Sequence, residues 1–491
     1  MTAIGAPPLI IQGGMGAAVS NWFLARATAL RGQLGVVSGT GIDTVLIRRL
    51  QDGDSGGHMR RAMAQFPIPG VSEQTLEQHF LPDGRPAGTP YRALPLHKAP
   101  VSRARQLLTM LANYVEVWLA KEGHDGPVGI NLLTKIQIPT LASLYGAMLA
   151  GVDYVLMGAG IPREVPGILD RFAAHQPASL KLDVEGLNGD AARHVELDPK
   201  EFWTDAPPAL RRPQFLAIVA SNLLATMLAR KASGRVDGFI VEGPTAGGHN
   251  APPRGEPQFN QRAEPVYGER DVVDLAKVKE LGVPFWVAGG SGSPVGLAEA
   301  LAAGAAGIQV GTLFAFCDES GLQPEYKREV LASAGRGEVD VVTDARASPT
   351  GYPFKVVKWR GAESEGPPRK RVCDMGYLRT PYVTADGTLG FRCASEPESA
   401  YVKKGGALED TVGRQCLCNA LLANVGLGQE RAEGIVEPPI LTAGDDLMVI
   451  AKFLGGRERY SAGDVIDYLL KGAPIISSST PTTRSSSSTV L

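Results

Sequence analysis

The sequence predicts an α/β protein: a (β/α)8 TIM barrel with lid insertions and a smaller C-terminal appended domain. Three observations predict it. Eight short apolar, β-branched runs alternate with longer helical patterns through the first two-thirds of the chain, as expected of a parallel sheet wrapped by helices. The runs are apolar almost throughout, which suits strands buried on both faces. Most end in glycine, serine or asparagine, at the strand end where a barrel carries its chemistry. An open, doubly wound sheet is the alternative architecture for the same rhythm.

In chain order the runs are LIIQGG from Leu9, LGVVSGTG from Leu34, VGINLL from Val128 and YVLMGAG from Tyr154. FLAIVAS from Phe215, VDGFIVEG from Val236, PFWVAGG from Pro284 and GIQVGTLF from Gly307 follow. Between them, SNWFLARATALRGQ opens on a Ser-Asn cap, and SPVGLAEALAAGA is short and alanine-rich, both helical signals. Within a barrel spanning residues 1–336, two insertions break the rhythm, at about 51–127 and 179–213. They are expected to leave strand ends and to roof the active site, because long loops in compact domains are commonly lids. Residues 337–475 form an appendage with its own cysteines, two strand-like fragments and a final helix, SAGDVIDYLLKG. The Ser/Thr-rich stretch 476–491 is expected to be disordered.

Composition removes several functions. A formal net charge of −2 leaves no electrostatic footprint for nucleic acid or an anionic membrane. No charged leader with a following apolar region opens the chain, and no apolar stretch reaches the roughly 18 residues of a membrane span. Five cysteines in 491 residues do not make a disulfide scaffold, so a cytoplasmic protein is expected. Glycine is the enriched residue, 59 of 491 against roughly 7 % in average usage. Much of it clusters directly after the apolar runs.

The strongest constellation lies after the seventh and eighth runs. VAGGSGSP (Val287 to Pro294) sets two adjacent glycines where a strand turns into a helix, and GTLF (Gly311 to Phe314) repeats the arrangement one unit later. Backbone N–H groups in such loops can bind a phosphate, and this is the recurrent phosphate position of barrels. Tight turning alone is the alternative for either loop, less so for two in succession. VEGPTAGGH, ending at His249, follows the sixth run. A histidine there, with its ordinary pKa near neutrality, suits proton transfer; a structural or metal-binding histidine is the alternative.

The motifs LIIQGGMG, GINLL, VLMGAGIP, VEGPTAGGH, WVAGGSG and QVGTLF occur in the order and spacing that resemble the nitronate monooxygenase family. They are also similar to its sister branch, the FMN-dependent enoyl-acyl-carrier-protein reductases. The resemblance covers residues 7 to about 335 and implies FMN held non-covalently. It implies that Gln12, Gly13, Gly14 and Met15 lie under the flavin ring and Asn131 near its polar edge. Gly289, Gly290, Gly311 and Thr312 would hold the phosphate, with Gly158, Ser221, Gly247, Gly248 and Ala288 completing the cofactor site and His249 beside the ring as the catalytic residue. The chain departs from the family in the Gly243-Pro244-Thr245 loop, in both insertions and in the whole appendage, which bear on substrate more than cofactor.

The function expected is oxidation of a nitronate or nitroalkane with O2. The alternatives are an NAD(P)H-dependent enoyl-thioester or quinone reductase using FMN, and, from another class, a non-redox phosphate-binding barrel lyase or isomerase. A small-molecule substrate, O2 or NAD(P)H as redox partner, and a homodimer are the expected partners. Cys373, Cys393, Cys416 and Cys418 fall close together in the appendage. Four thiolates can complete a zinc or iron–sulfur site, although no pair of CxxC knuckles is present and buried free thiols are the alternative. Cys317 reads as core.

Overall fold

The structure is a computed structural model that describes residues 6–187, 192–359, 370–431 and 435–471. The stretch 476–491 lies outside them. Four strands come first: β1 (Ile10–Gln12), β2 (Leu34–Ser38), β3 (Val128–Leu133) and β4 (Tyr154–Gly158). A hairpin of β5 (Ala178–Lys181) and β6 (His194–Leu197) precedes β7 (Gln214–Val219), β8 (Gly238–Glu242), β9 (Phe285–Ala288) and β10 (Gly307–Val310). The appendage carries β11 (Asp340–Asp344), β12 (Phe354–Lys358), β13 (Thr380–Val383) and β14 (Leu389–Arg392).

The eight apolar runs form a closed parallel barrel in the order β1-β10-β9-β8-β7-β4-β3-β2. β1 closes it by pairing with β10 on one side (Ile10 opposite Ile308) and β2 on the other (Ile11 opposite Leu34). Side chains fill the interior: Ile11, Leu34, Val36, Tyr154, Leu156, Leu216, Ile240 and Trp286 are all buried in one inner cluster. The indole N–H of Trp286 donates to the Pro8 carbonyl at 2.7 Å, so the polar edge of this buried ring is satisfied. This barrel is a packed core, and ligands must bind at its mouth.

The helices start where their caps place them. Asn21 Oδ1 accepts from the Leu24 N–H at 2.9 Å, opening the helix Trp22–Ala29. Ser102 and Ser293 do the same for Arg103–Lys121 and Pro294–Ala302, each satisfying an otherwise unpaired donor of a first turn.

The insertions differ from expectation. The first follows the helix Ile42–Gln51 and the second follows Val165–Ala173; neither leaves a strand end. The long helix Arg103–Lys121 packs on Trp22–Ala29 and Thr140–Leu149, and the β5–β6 hairpin packs on the outer helices. They flank the barrel, and no residue of 51–127 or 179–213 lines the cavity at its mouth. The appendage covers that mouth instead. β11 and β12 pair antiparallel, as do β13 and β14, and residues 442–446 cross the loops that follow β8 and β10.

One buried carboxylate ties three segments together. Asp43, on the helix after β2, meets His97 Nε2 at 3.1 Å and Arg105 at 2.8 Å, both from the first insertion. It also accepts the hydroxyl of Tyr377 from the appendage, and Tyr377 in turn lies 3.0 Å from Thr44 Oγ1. Burial alone would raise its pKa; Arg105 and His97 outweigh burial and hold the carboxyl well below the usual carboxylate range. Breaking a buried pair by removing one charge costs about 3–5 kcal/mol, so Asp43→Asn should lose about that much stability at pH 7. The depressed carboxyl stabilises the fold fully above its unfolded value of about 3.9, and the contribution is lost as pH falls below it toward the folded value. Denaturant unfolding from pH 7 to pH 3 should therefore show a steeper acid loss in the wild type than in Asp43→Asn. Parallel slopes would contradict the assignment.

Candidate active site

A cavity of ≈ 220 Å3 opens at the carboxyl ends of the barrel strands. Its floor and sides come from the loops that end β1, β3, β4, β8, β9 and β10: Gly13, Gly14, Met15, Asn131, Gly158, Gly247, Gly248, His249, Ala288, Gly289, Gly290, Gly311 and Thr312. These predicted residues are brought together. Gln12 and Ser221 are not. The Gln12 side chain is buried and accepts the Val36 N–H at 3.0 Å, bracing β1 against β2. Ser221 caps the helix Asn222–Lys231 by accepting from Leu224 N–H at 3.0 Å.

Two glycines show why the loops need them. A β-carbon on Gly14 would stand 2.2 Å from Cβ of Asn131, so no side chain fits between β1 and β3. Gly289 and Gly290 both have positive φ, +84° and +73°, a backbone conformation that lets the chain turn sharply after β9 and that side chains disfavour.

The roof belongs to the appendage. Phe354, Met375, Tyr377, Leu378, Leu417 and Leu421 give it an apolar lining, and Thr442, Ala443, Gly444 and Asp446 close the side above the glycine loops. Gly444 N–H donates to Thr312 Oγ1 at 3.0 Å, Asp445 N–H to the Thr245 carbonyl at 2.9 Å, and Gly248 N–H to Thr442 Oγ1 at 2.8 Å. Residues 442–446 are thus strapped to both the histidine loop and the last barrel strand.

His249 sits at this junction. Its Nε2 is 2.6 Å from Ser348 Oγ, and its ring meets Phe354 edge-to-face at 4.9 Å. Burial, with Lys135 adding to it, pushes its pKa down to about 4, so the imidazole is neutral at neutral pH. The ordinary pKa that recommended His249 as a base does not survive this environment.

Residues that the sequence did not single out complete the site. Glu242 ends β8 and lines both the cavity and an adjoining chamber of ≈ 110 Å3; burial pushes its carboxyl up to about 7. Gln309, inside β10, and Asn131 each present a buried side-chain oxygen, Oε1 and Oδ1, with no hydrogen-bond partner. A charged or amide residue inside an otherwise apolar strand was the available signal for Glu242 and Gln309. Asp446 stands against the loop after β9, where a β-carbon on Gly292 would come within 2.8 Å of its Oδ2; burial raises its pKa.

The metal expectation is corrected. Among the described residues no three His, Cys, Asp or Glu side chains are grouped to hold a metal ion. Cys373, Cys393, Cys416 and Cys418 form no disulfide, and burial pushes Cys393 up to about 12. Cys418 lines the main cavity. Cys317 is core, as expected, with its thiol donating to the Phe314 carbonyl.

The architecture is that of a (β/α)8 barrel: filled by side chains, with glycine loops at its strand ends around a roofed cavity large enough to take a ligand. The family model for nitronate monooxygenase matches residues 205–352, the stretch holding β7 to β11 and the histidine loop. Over that stretch the chain is similar to the nitronate monooxygenase family. A nitronate monooxygenase of Paraburkholderia phytofirmans is 30 % identical over 179 residues, 36 % of this chain and 46 % of the relative. A Mycobacterium tuberculosis (3aS,4S,5R,7aS)-5-hydroxy-7a-methyl-1-oxo-octahydro-1H-indene-4-carboxyl-CoA dehydrogenase is 29 % identical over 212 residues, 40 % of this chain and 56 % of the relative. The chain spans about half the length of the curated relatives it matches. The solved structure of FabK from Thermotoga maritima is 18 % identical with a TM-score of 0.48, covering 95 % of this chain and 92 % of that one. Among the described residues no helix is long and apolar enough to cross a membrane.

The strap makes a prediction. Thr312→Val keeps the shape but leaves the buried Gly444 N–H without an acceptor, a cost of about 1–3 kcal/mol. Hydrogen exchange at the amides of 443–446 should accelerate in the variant while the barrel strands stay protected. Unchanged exchange there would mean the strap does not depend on Thr312.

Proposed function

We propose that this chain is an FMN-dependent oxidoreductase that oxidises a small nitroalkane or its nitronate, with O2 as the final acceptor. The observation that carries the proposal is the pair of buried, unpartnered oxygens, Asn131 Oδ1 and Gln309 Oε1, on the wall of a glycine-rimmed cavity. An unpaired buried acceptor costs about 1–3 kcal/mol, and a flat heterocycle with ring N–H groups would relieve it. The residues fit the cofactor at its other end too. Backbone N–H groups of Gly289, Gly290 and Gly311 can take the phosphate, and Thr312, whose oxygen already accepts from Gly444, keeps its hydroxyl hydrogen free to donate. Asp446 is the acidic side chain at that end, and burial raises its pKa.

FMN bound here would supply a two-electron acceptor. The chain's own part is to orient the substrate, exclude water with the appendage roof, and manage a proton. His249, neutral and held by Ser348, is suited to hydrogen-bonding a nitro or carbonyl oxygen as negative charge grows on it. A second reading, redox chemistry beside a thioester carbonyl (as in an enoyl-thioester reductase fed by NAD(P)H), is supported by the relative that is a CoA dehydrogenase. O2 or NAD(P)H as redox partner, and a homodimer, remain part of the proposal.

Purified protein should be yellow, with oxidised-flavin absorption bands and FMN released on denaturation. A colourless protein that refuses added FMN would overturn the proposal and favour a non-redox phosphate-binding barrel. Gly290→Leu should weaken FMN binding, because a side chain would block the approach of the backbone to phosphate and strain a positive-φ position. His249→Ala should keep its FMN and lose roughly 10²–10³-fold in kcat/KM, the range for removing one donor to a developing oxyanion. The loss should be similar on nitroethane and on preformed ethyl nitronate; a loss confined to the neutral nitroalkane would restore His249 as the base.

A further inference from the structure

We propose that Glu242, rather than His249, is the acid–base residue of this cavity, its carboxylate taking the proton from the substrate carbon that is oxidised. The inference rests on the FMN oxidoreductase reading above and names the group which that reading lacks.

Position is the first argument. Glu242 is the last residue of β8, and the carboxyl ends of barrel strands are where reacting side chains stand. It lines the same cavity as His249, Asn131 and Gln309. It also lines the adjoining chamber, together with His249, Arg254, Tyr267 and Asp271. Glu242 therefore stands where the two spaces adjoin, and the second carries the polar side chains of Arg254, Tyr267 and Asp271, to which a proton could pass.

Isolation is the second argument. Most buried carboxylates in this protein are tied down, as Asp43 is by His97 and Arg105. The Glu242 carboxyl has no hydrogen bond or ion pair among the described residues. The other titratable groups around the two chambers are Asp446, Tyr377 and Cys418 on one side, Arg254, Tyr267, Asp271 and Tyr352 on the other, and His249 on both. None of them moves its pKa; burial alone pushes it up to about 7. A structural carboxylate would be expected to hold a partner, whereas a group that exchanges a proton near neutrality is better left without one.

In the step itself, a substrate C–H bond breaks and its proton passes to a Glu242 oxygen. The electron pair stays on carbon and spreads onto the nitro or carbonyl oxygens, which neutral His249 hydrogen-bonds. No oxidant is consumed in this step, and the anion formed is the species from which electrons can leave. Because the carboxylate is the active form, the rate should rise with pH through about 7 and level off above it.

Glu242→Gln keeps size and hydrogen-bonding capacity while removing the proton exchange. Infrared difference spectra of wild type against Glu242→Gln, recorded from pH 5 to 9, should show a protonated carboxyl band that titrates near pH 7. This readout needs neither turnover nor flavin. In kinetics, Glu242→Gln should retain FMN and lose roughly 10²–10⁴-fold in kcat/KM on nitroethane but less than about tenfold on preformed ethyl nitronate, which has no proton to give. The limb near pH 7 should vanish from its nitroethane profile. An ionised Glu242 at every pH above 5, or a limb that persists in the variant, would overturn the proposal. If the wild type turns over neither nitro compound, the nitroalkane reading falls while the infrared titration still decides whether Glu242 carries the proton.

Discussion

Much of the molecule's shape hangs on the buried carboxylate of Asp43. It joins the first insertion, through His97 and Arg105, to the barrel and then to the appendage through Tyr377. A buried ion pair is weak evidence for net stability, since desolvation offsets much of the attraction. Its effect here is on geometry. Tyr377 lines the cavity with its hydroxyl on Asp43, and an alternative packing of the appendage would cost this buried carboxylate one of its side-chain partners. The carboxylate thus selects one arrangement among apolar ones that hydrophobic burial alone would not distinguish.

That arrangement decides what the cavity is like. Barrel loops supply its polar floor, and the appendage supplies an apolar roof from Phe354, Met375, Leu378 and Leu417. The two halves are sewn together by backbone and hydroxyl bonds at Thr245, Thr312 and Thr442. Burial follows from this covering, and the pKa shifts at the site follow from burial. A barrel with an open mouth would leave Glu242 and His249 near their ordinary values.

All eight barrel strands were legible because each is an unbroken apolar run with turn residues after it, a pattern that needs no knowledge of distant contacts. The glycine loops and His249 were legible for the same local reason. The second insertion leaves the helix Val165–Ala173 and the first leaves the helix Ile42–Gln51, which is short enough that its local pattern does not separate it from the strand before it. Asp43 was hidden inside that helix, where an acidic residue in the first turn looks like ordinary dipole matching; its partners lie 54, 62 and 334 residues away. Gln12 reads as a ligand in its motif, but the orientation of its amide depends on β2 beside it. The four cysteines are close in sequence, and nothing in a sequence says whether four thiols converge on a point.

The opposite pKa shifts of Glu242 and His249 illustrate how far burial can go. In water a histidine, near 6.5, is a stronger base than a glutamate, near 4.3. Desolvation penalises the charged form of each, which is the anion for one and the cation for the other, so the same environment moves them in opposite directions. Here the carboxyl rises to about 7 and the imidazole falls to about 4. The order inverts by about three units, and at 1.36 kcal/mol per unit the carboxylate holds a proton more tightly by about 4 kcal/mol. A motif ending in histidine therefore does not by itself say which group in the cavity holds a proton at neutral pH. Which of two neighbouring groups takes the proton is set by the roof that dries them, and in this chain the appendage provides most of that roof.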